Sequence, residues 1–265
     1  MVTRTPLRFA AHTDVGPRRD HNEDAAAAFG SAGPIGVTGR GGKDAFAGAV
    51  PADAGVALLV LDGMGGHSSG ALACERACEF LARDLVGPWP DLAAERGGWL
   101  VALVRRLAAH LTTAAGNTGQ AAAGTLAVVV GDVVHVVHVG DVRAYVLRGG
   151  RLELRTRDDS LINDARDHGY SEQELRDAPR NVLTQVLGFG EPVPHLQALA
   201  LADDEVLLLC SDGLHAAVGE AAIAAALTEF AEPAAACAAL VELATRAETE
   251  DNITALVARR GPAPA

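Results

Sequence analysis

Apolar positions recur along this chain with two different periods. Residues 7–13 and 55–61 read as strands, the second of them, "GVALLVL", apolar throughout and so buried on both faces. From 69 to 86, Cys74, Ala77, Cys78, Leu81 and Leu85 fall at helical spacing. From 99 to 115, Leu100, Leu103, Val104, Leu107 and Leu111 do the same, with Gly116 as a stop signal. A run of strands follows in "TLAVVVGD", "VVHVVHVGD", "VRAYVLRGG" and "RLELRT", and the Gly-Asp and Gly-Gly breaks between them read as hairpins. Residues 158–180 are polar, with short helical character. "NVLTQVLG", "HLQALAL" and "DEVLLLCSDG" read as further strands, and two Ala-rich helices are expected near 219–229 and 233–248. A last strand, "NITALVARR", precedes a Pro/Ala tail over 261–265 that is expected to fray. The segment from Gly30 to Gly55 is rich in Gly and Ala and carries Pro34 and Pro51, so it reads as a long irregular loop, a mobile surface excursion.

Helices grouped together and strands running consecutively favour an α+β fold over alternating βαβ units. The chain has 265 residues, 49% of them apolar, with no repeat and no dividing linker, which predicts one domain over residues 1–260. Nowhere do about 18 apolar residues run together, so no transmembrane helix is expected. The start, "MVTRTPLRFAAHTDVG", lacks the apolar run of a secretory signal, and a cytoplasmic protein is the simplest expectation. The net charge of −12 argues against a nucleic-acid partner, which would call for basic surface. Cys74, Cys78, Cys210 and Cys237 offer no second pair at zinc spacing and are expected to be buried, reduced thiols.

Acids cluster where apolar strands end. Asp62 closes "LLVLD", Asp141 follows "VVHVG", Asp212 follows "LLLCS", Asp251 stands just before "NITALV", and Glu23 and Asp24 follow the first strand in "NED". One such acid is ordinarily a turn residue or a helix cap. If five segments bring acids together, mutual repulsion demands cations, and hard oxygen ligands select Mg²⁺ or Mn²⁺ over Zn²⁺. Asp62 and Asp212 both lead into glycine, which lets the backbone come close enough for a main-chain carbonyl to ligate. His135 and His138, three apart on a strand, point to opposite faces and are expected to be structural. His67 either caps the following helix or faces the site. Arg19, four residues before Glu23, suits a phosphate clamp, or else pairs with a surface acid.

The motifs "TDVGPRRDHNED", "VLDGMGGHSSG", "HVGDVRAYVLR", "LLLCSDGL" and "EDNITAL", in this order and spacing, resemble the bacterial type 2C metal-dependent protein phosphatases, from about residue 7 to 259. The resemblance implies a four-layer αββα sandwich, two antiparallel sheets face to face with helices outside. It implies that Asp62 bridges two Mn²⁺ or Mg²⁺ ions, with the Gly63 carbonyl on one of them and Glu23 holding that ion's water shell. Asp212 and Asp251 would bind the other ion, Asp141 with Asp212 a third and weaker one, and Arg19 the substrate phosphate. The implied reaction is hydrolysis of phosphoserine and phosphothreonine in proteins, by direct attack of a water shared between two cations. The implied partners are phosphorylated proteins, a cognate Ser/Thr kinase or that kinase's targets, with no nucleic acid, no membrane and a monomeric enzyme. The chain departs from the pattern in the segment resembling the mobile flap: Asp159 stands where relatives often have His, and Ala178-Pro179-Arg180 where they often have His-Pro-Arg. Neither position is therefore expected to supply an essential acid. The alternative is a catalytically weak, phosphatase-like regulatory or scaffolding module, against which the retained Asp62, Asp212 and Asp251 count; a phosphoesterase acting on small phosphates is a third reading.

Overall fold

The structure, a computed structural model, describes residues 5–39, 42–51, 53–65, 69–87, 89, 97–116, 119–179 and 181–261. The strands β1 (Leu7–Asp14), β2 (Ala25–Gly30), β3 (Gly33–Val37), β4 (Lys43–Val50) and β5 (Val56–Met64) come first. Helices α1 (Ser69–Asp84) and α2 (Gly98–Ala115) follow, then β6 (Ala121–Val130), β7 (Val133–Val139), β8 (Arg143–Arg148) and β9 (Arg151–Leu154). Helix α3 (Leu161–Asp167), β10 (His195–Ala200), β11 (Val206–Cys210), α4 (Asp212–His215), α5 (Glu220–Glu229), α6 (Pro233–Arg246) and β12 (Ile253–Arg260) complete the order.

These strands form two antiparallel six-stranded sheets, in the orders β4-β1-β12-β11-β8-β9 and β10-β7-β6-β5-β2-β3. Period-two alternation sorts their side chains into three apolar layers. In β5, Val56, Leu58 and Val60 fill the space between the sheets, while Ala57, Leu59 and Leu61 face α1 and α2. In β12, Leu256 and Ala258 face inward between the sheets, while Ile253, Ala255 and Val257 face α5 and α6. The helices bury the stripes their spacing predicts: Ala73, Cys74, Ala77, Cys78 and Leu81 on α1, and Leu100, Leu103, Val104, Leu107 and Leu111 on α2. All four cysteines are free and buried, as expected. The result is the four-layer α+β sandwich.

Three expectations need correction. The Gly30–Gly55 segment is not an irregular loop: β3 pairs with β2, and β4 pairs with β1 along its whole length, from Leu7↔Val50 to Asp14↔Lys43. Two of its strand glycines, Gly36 and Gly48, lie under aromatic rings. A Cβ on Gly48 would come within 2.8 Å of the Phe9 ring, and one on Gly36 within 2.5 Å of Phe46. Phe9 and Phe46 themselves meet edge to face at 6.5 Å. "NVLTQVLG" is not a strand but a segment held by isolated bridges, Leu183 to Ser160 and Leu187 to Ala122. Gly131-Asp132 and Gly149-Gly150 do turn hairpins, β6–β7 and β8–β9, but Gly140-Asp141 carries the chain from one sheet to the other. There Gly140 has φ +97°, and a Cβ on it would stand 2.4 Å from that of Ala123. The tail residues 262–265 lie outside the described residues, and no helix among the described residues is long and apolar enough to cross a membrane.

Candidate active site

The rows of side chains between the sheets are apolar along most of their length and turn polar at one end. Continuing each alternation, Leu7, Phe9 and Ala11 lead to Thr13, Ala28 and Ala26 to Asp24, and Val56, Leu58 and Val60 to Asp62. On β12 and β11, beside β1, Ala258 and Leu256 lead to Thr254, and Leu207 and Leu209 to Ser211. A hydrogen-bond chain knits this end together. Ser211 donates to Asp24 Oδ2 at 2.6 Å, the Thr254 amide donates to Ser211 Oγ at 3.0 Å, and the Thr13 and Thr254 hydroxyls meet at 2.7 Å. Asn22 donates to Thr13 Oγ1 at 2.8 Å and accepts from the Asp24 amide at 3.1 Å. Polar groups buried this deeply are stable only when so paired.

The acids gather on this floor. Asp62 lies inside β5 rather than in a turn, and Asp212 opens α4. Burial pushes Asp24 up to about 7, with Asp212 and Asp251 adding to the rise. Burial also raises Asp62 well above the usual carboxylate range, and the charges of Asp24, Asp212, Asp141 and Asp251 push the same way. Asp141 is driven up to about 7 by burial, then by Asp212 and Asp158; Asp212 is raised by burial and by Asp251. Each ionised carboxylate here is thus destabilised by the others, which is how close like charges behave in a poorly solvated site. His215, whose Nε2 donates to the Asp141 carbonyl at 3.0 Å, is pushed down to about 4 by burial and by Arg143, so it stays neutral beside the acids.

Close backbone approaches set the acids' positions. A Cβ on Gly63 would lie 2.5 Å from the Glu23 carbonyl oxygen and from the Gly70 carbonyl, so β5, the Glu23 segment and the start of α1 can meet only through glycine. A Cβ on Gly213 would likewise collide with the Asn252 carbonyl, so only glycine lets the Asp212 and Asp251 segments come together there. Glu23 is buried and accepts from the Gly70 amide at 3.2 Å. Asn252 accepts from the Glu23 amide at 2.8 Å and donates to the Val15 and His21 carbonyls at 2.8 and 3.0 Å, fixing the Arg19 loop. Arg19 donates to Asp251 Oδ2 at 2.6 Å and to the Glu250 carbonyl at 3.0 Å, with nearly half its side chain open to solvent. It borders a cleft of about 880 Å³ that reaches Asp212, Gly213 and Asn181.

The donor set fits hard divalent cations. It is built of oxygens, and two buried oxygens, Asp141 Oδ1 and Asp212 Oδ1, have no hydrogen-bond partner. Among the described residues no three His, Cys, Asp or Glu side chains already converge on one point. The sequence-predicted Asp62, Asp141, Asp212 and Asp251 lie within one another's electrostatic reach, Gly63 and Glu23 adjoin them through backbone contacts, and Arg19 joins through Asp251. His67 and Arg180 lie outside the described residues. His135 and His138 face opposite sides of β7 and sit apart from the acids' hydrogen bonds: His138 Nε2 donates to the Arg157 carbonyl at 2.8 Å. Two residues carry more of the site than expected. Asp24, named only beside Glu23, is the charge that acts most strongly on Asp62, and Asn252 ties three segments together. The alternation of β2 leads back to Asp24, but it shows only once the strand is placed, since Ala25–Ala28 carry no period in the sequence.

Residues 37–251 match the family model for protein phosphatase 2C. The serine/threonine protein phosphatase PstP of Mycobacterium tuberculosis is 32% identical over 256 residues, which cover 95% of this chain and 45% of PstP, so the chain spans about half the length of that curated relative. Among solved structures, the S. agalactiae serine/threonine phosphatase superposes with a TM-score of 0.82 at 26% identity, covering 96% of this chain and all of that one. The catalytic domain of PstP in complex with two manganese ions superposes with a TM-score of 0.74 at 30% identity, covering 96% of this chain and 98% of that one.

Proposed function

Because this chain belongs to the protein phosphatase 2C family, we propose that it is a metal-dependent phosphatase of phosphoserine and phosphothreonine in proteins. The observation that carries the reading is the group of buried acids Asp24, Asp62, Asp141 and Asp212, each raised in proton affinity by burial and by the charge of a neighbouring acid, around two unpartnered buried oxygens. The PstP structure with two manganese ions supports the same chemistry in a relative.

Asp62 would be shared by two Mn²⁺ or Mg²⁺ ions, with the Gly63 carbonyl joining it on one of them and Glu23 ordering water beside that ion, and Asp212 and Asp251 would hold the other. Asp141 with Asp212 would take a third, weaker ion. When bound, the cations supply an activated water for in-line attack on phosphorus and neutralise charge on the phosphoryl oxygens. The chain's own groups do the rest. Arg19, held at the cleft by the Glu250 carbonyl, would clamp a substrate phosphate with two hydrogen bonds from its guanidinium. Its bond to Asp251 ties it to the acids. Neutral His215 holds the Asp141 carbonyl without adding charge. All four thiols are buried, and burial raises Cys74, Cys210 and Cys237, so none is poised as a nucleophile.

Phosphorylated proteins would be the substrates, a Ser/Thr kinase or its targets among them, met in the cytoplasm by a monomeric single domain. Hydrolysis of a phosphothreonine peptide, with Mn²⁺ and with a chelator, tests the reading. Turnover that needs the metal is expected. Phosphopeptide binding without turnover would instead favour a regulatory module, and turnover confined to small phosphates would favour a different phosphoesterase.

A further inference from the structure

Asp159 is buried, only 4% exposed, and the roles assigned above make no use of it. It grips Gly140 twice. Its amide donates to the Gly140 carbonyl at 2.9 Å, and its Oδ2 accepts from the Gly140 amide at 2.8 Å. The other carboxylate oxygen accepts from His195 Nε2 at 2.8 Å and from Gln185 Nε2 at 2.9 Å. Gln185 in turn accepts from the Val193 amide at 2.7 Å, and the Thr184 amide donates to the Asp159 carbonyl at 2.9 Å. The His195 ring stacks on His138 with centroids 5.0 Å apart. The end of β7, the segment before α3, the 183–187 segment and β10 therefore meet on one carboxylate.

Gly140 immediately precedes Asp141, at the crossover between the sheets. Asp141 Oδ1 is buried and has no hydrogen-bond partner, so the backbone alone sets its aim. On the far side, Arg143 forms a two-point pair with Asp158 at 2.9 and 2.8 Å, and His215 holds the Asp141 carbonyl. On the near side the Asp159 clasp and the steric limit at Gly140 act, beside the Gly124↔Val139 end of the β6–β7 ladder. A single backbone hydrogen bond would close this turn; a buried carboxylate is a costly addition unless the geometry it imposes matters.

Taking the proposed function as its premise, we propose that Asp159 is a positioning residue for Asp141: held by His195 and Gln185, it fixes the Gly140–Asp141 crossover so that Asp141 presents its unpartnered oxygen to the outer divalent cation. The same contacts link that site to the Thr184–Gln185 segment. Asp159 thus serves as an anchor rather than a proton donor.

The test compares wild type with Asp159→Ala, Asp159→Asn and His195→Ala by amide hydrogen exchange without metal, by calorimetric titration with Mn²⁺, and by thermal melting. Asp159→Ala should speed exchange at Gly140 and weaken the weakest Mn²⁺ site about tenfold or more, the scale seen when a ligand loses its supporting partner, with the tight sites unchanged. Asp159→Asn keeps an oxygen for the Gly140 amide and should restore most of that affinity. His195→Ala, at a half-exposed side chain that leaves the core intact, should fall between them, and it decides the matter if Asp159→Ala does not fold. Lower melting temperatures with an unchanged weak site would overturn the proposal and leave Asp159 a structural residue. A wild type with tight Mn²⁺ sites and no weak one would overturn it alone. A wild type that binds no Mn²⁺ would overturn the functional reading together with it.

Discussion

The metal-free protein should lose stability as pH rises through the neutral range. The acids at the end of the sandwich have folded-state affinities for protons above their unfolded ones, so between pH 4 and 7 the folded chain binds more protons than the unfolded chain. Stability from these groups is complete below about pH 4. It drains away as pH climbs through the folded values near 7. A carboxyl moved from 3.8 to about 7 carries on the order of 4 kcal/mol between its protonation states. Asp24 and Asp141 both feel Asp212, so their effects do not simply add, and about 4 kcal/mol is a conservative total. For a chain of this size that corresponds to roughly 8–16 °C in melting temperature between about pH 4 and pH 8. Divalent cations replace the protons, so Mn²⁺ should stabilise little at pH 5 and strongly at pH 8. Melting curves at four pH values, with chelator or with Mn²⁺, read both effects, and Asp141→Asn should flatten the chelator series. A metal-free melting temperature that is constant or rises from pH 5 to 8, or Mn²⁺ stabilisation equal at both ends, would refute the crowding of these carboxylates.

Arg19→Ala should lower kcat/KM for a phosphothreonine peptide about 10- to 100-fold, the worth of a charge-assisted hydrogen bond, while calorimetry shows Mn²⁺ binding unchanged. Asp141→Ala should keep the two tight ions and slow turnover; loss of the tight ions would reverse the assignment of inner and outer ligands. Asp159→Asn should change the rate on an aryl phosphate by less than about tenfold, since losing a general acid would cost a hundredfold or more. Phe46→Ala should destabilise the fold by about 2–3 kcal/mol in denaturant titration, somewhat less than a fully buried Phe→Ala, because Phe46 joins β4 to Phe9.

Long apolar strands and amphipathic helices were legible because their periods are strong: β5, β11, β12, α1 and α2 fall where the residue pattern puts them. Asp62, Asp141, Asp212 and Asp251 were legible because an acid at the end of such a strand breaks the pattern. β3 and β4 were not, since Gly36 and Gly48 are small in order to sit under Phe46 and Phe9, and glycine reads as loop until the rings are placed. Asp24 was hidden by the run Ala25–Ala28, whose uniform small side chains carry no visible period. The dipeptide Gly-Asp marks a hairpin at Gly131-Asp132 and a crossover at Gly140-Asp141, and only the packing of Gly140 on Ala123 separates the two. The Asp159 anchor needs four segments brought together in space, which no local pattern encodes.

The central claim is that the acids at the end of the sandwich exist to hold divalent cations. Titrating Mn²⁺ into the wild type and into Asp62→Asn and Asp212→Asn by calorimetry, with phosphothreonine hydrolysis followed on the same samples, tests it most directly. The account predicts at least two tight ions on the wild type, and loss of the tight pair and of turnover together in each variant, while the metal-free variants melt no lower than the metal-free wild type because a repelling charge is gone. Variants that keep both tight ions, or that keep turnover after losing them, would contradict it.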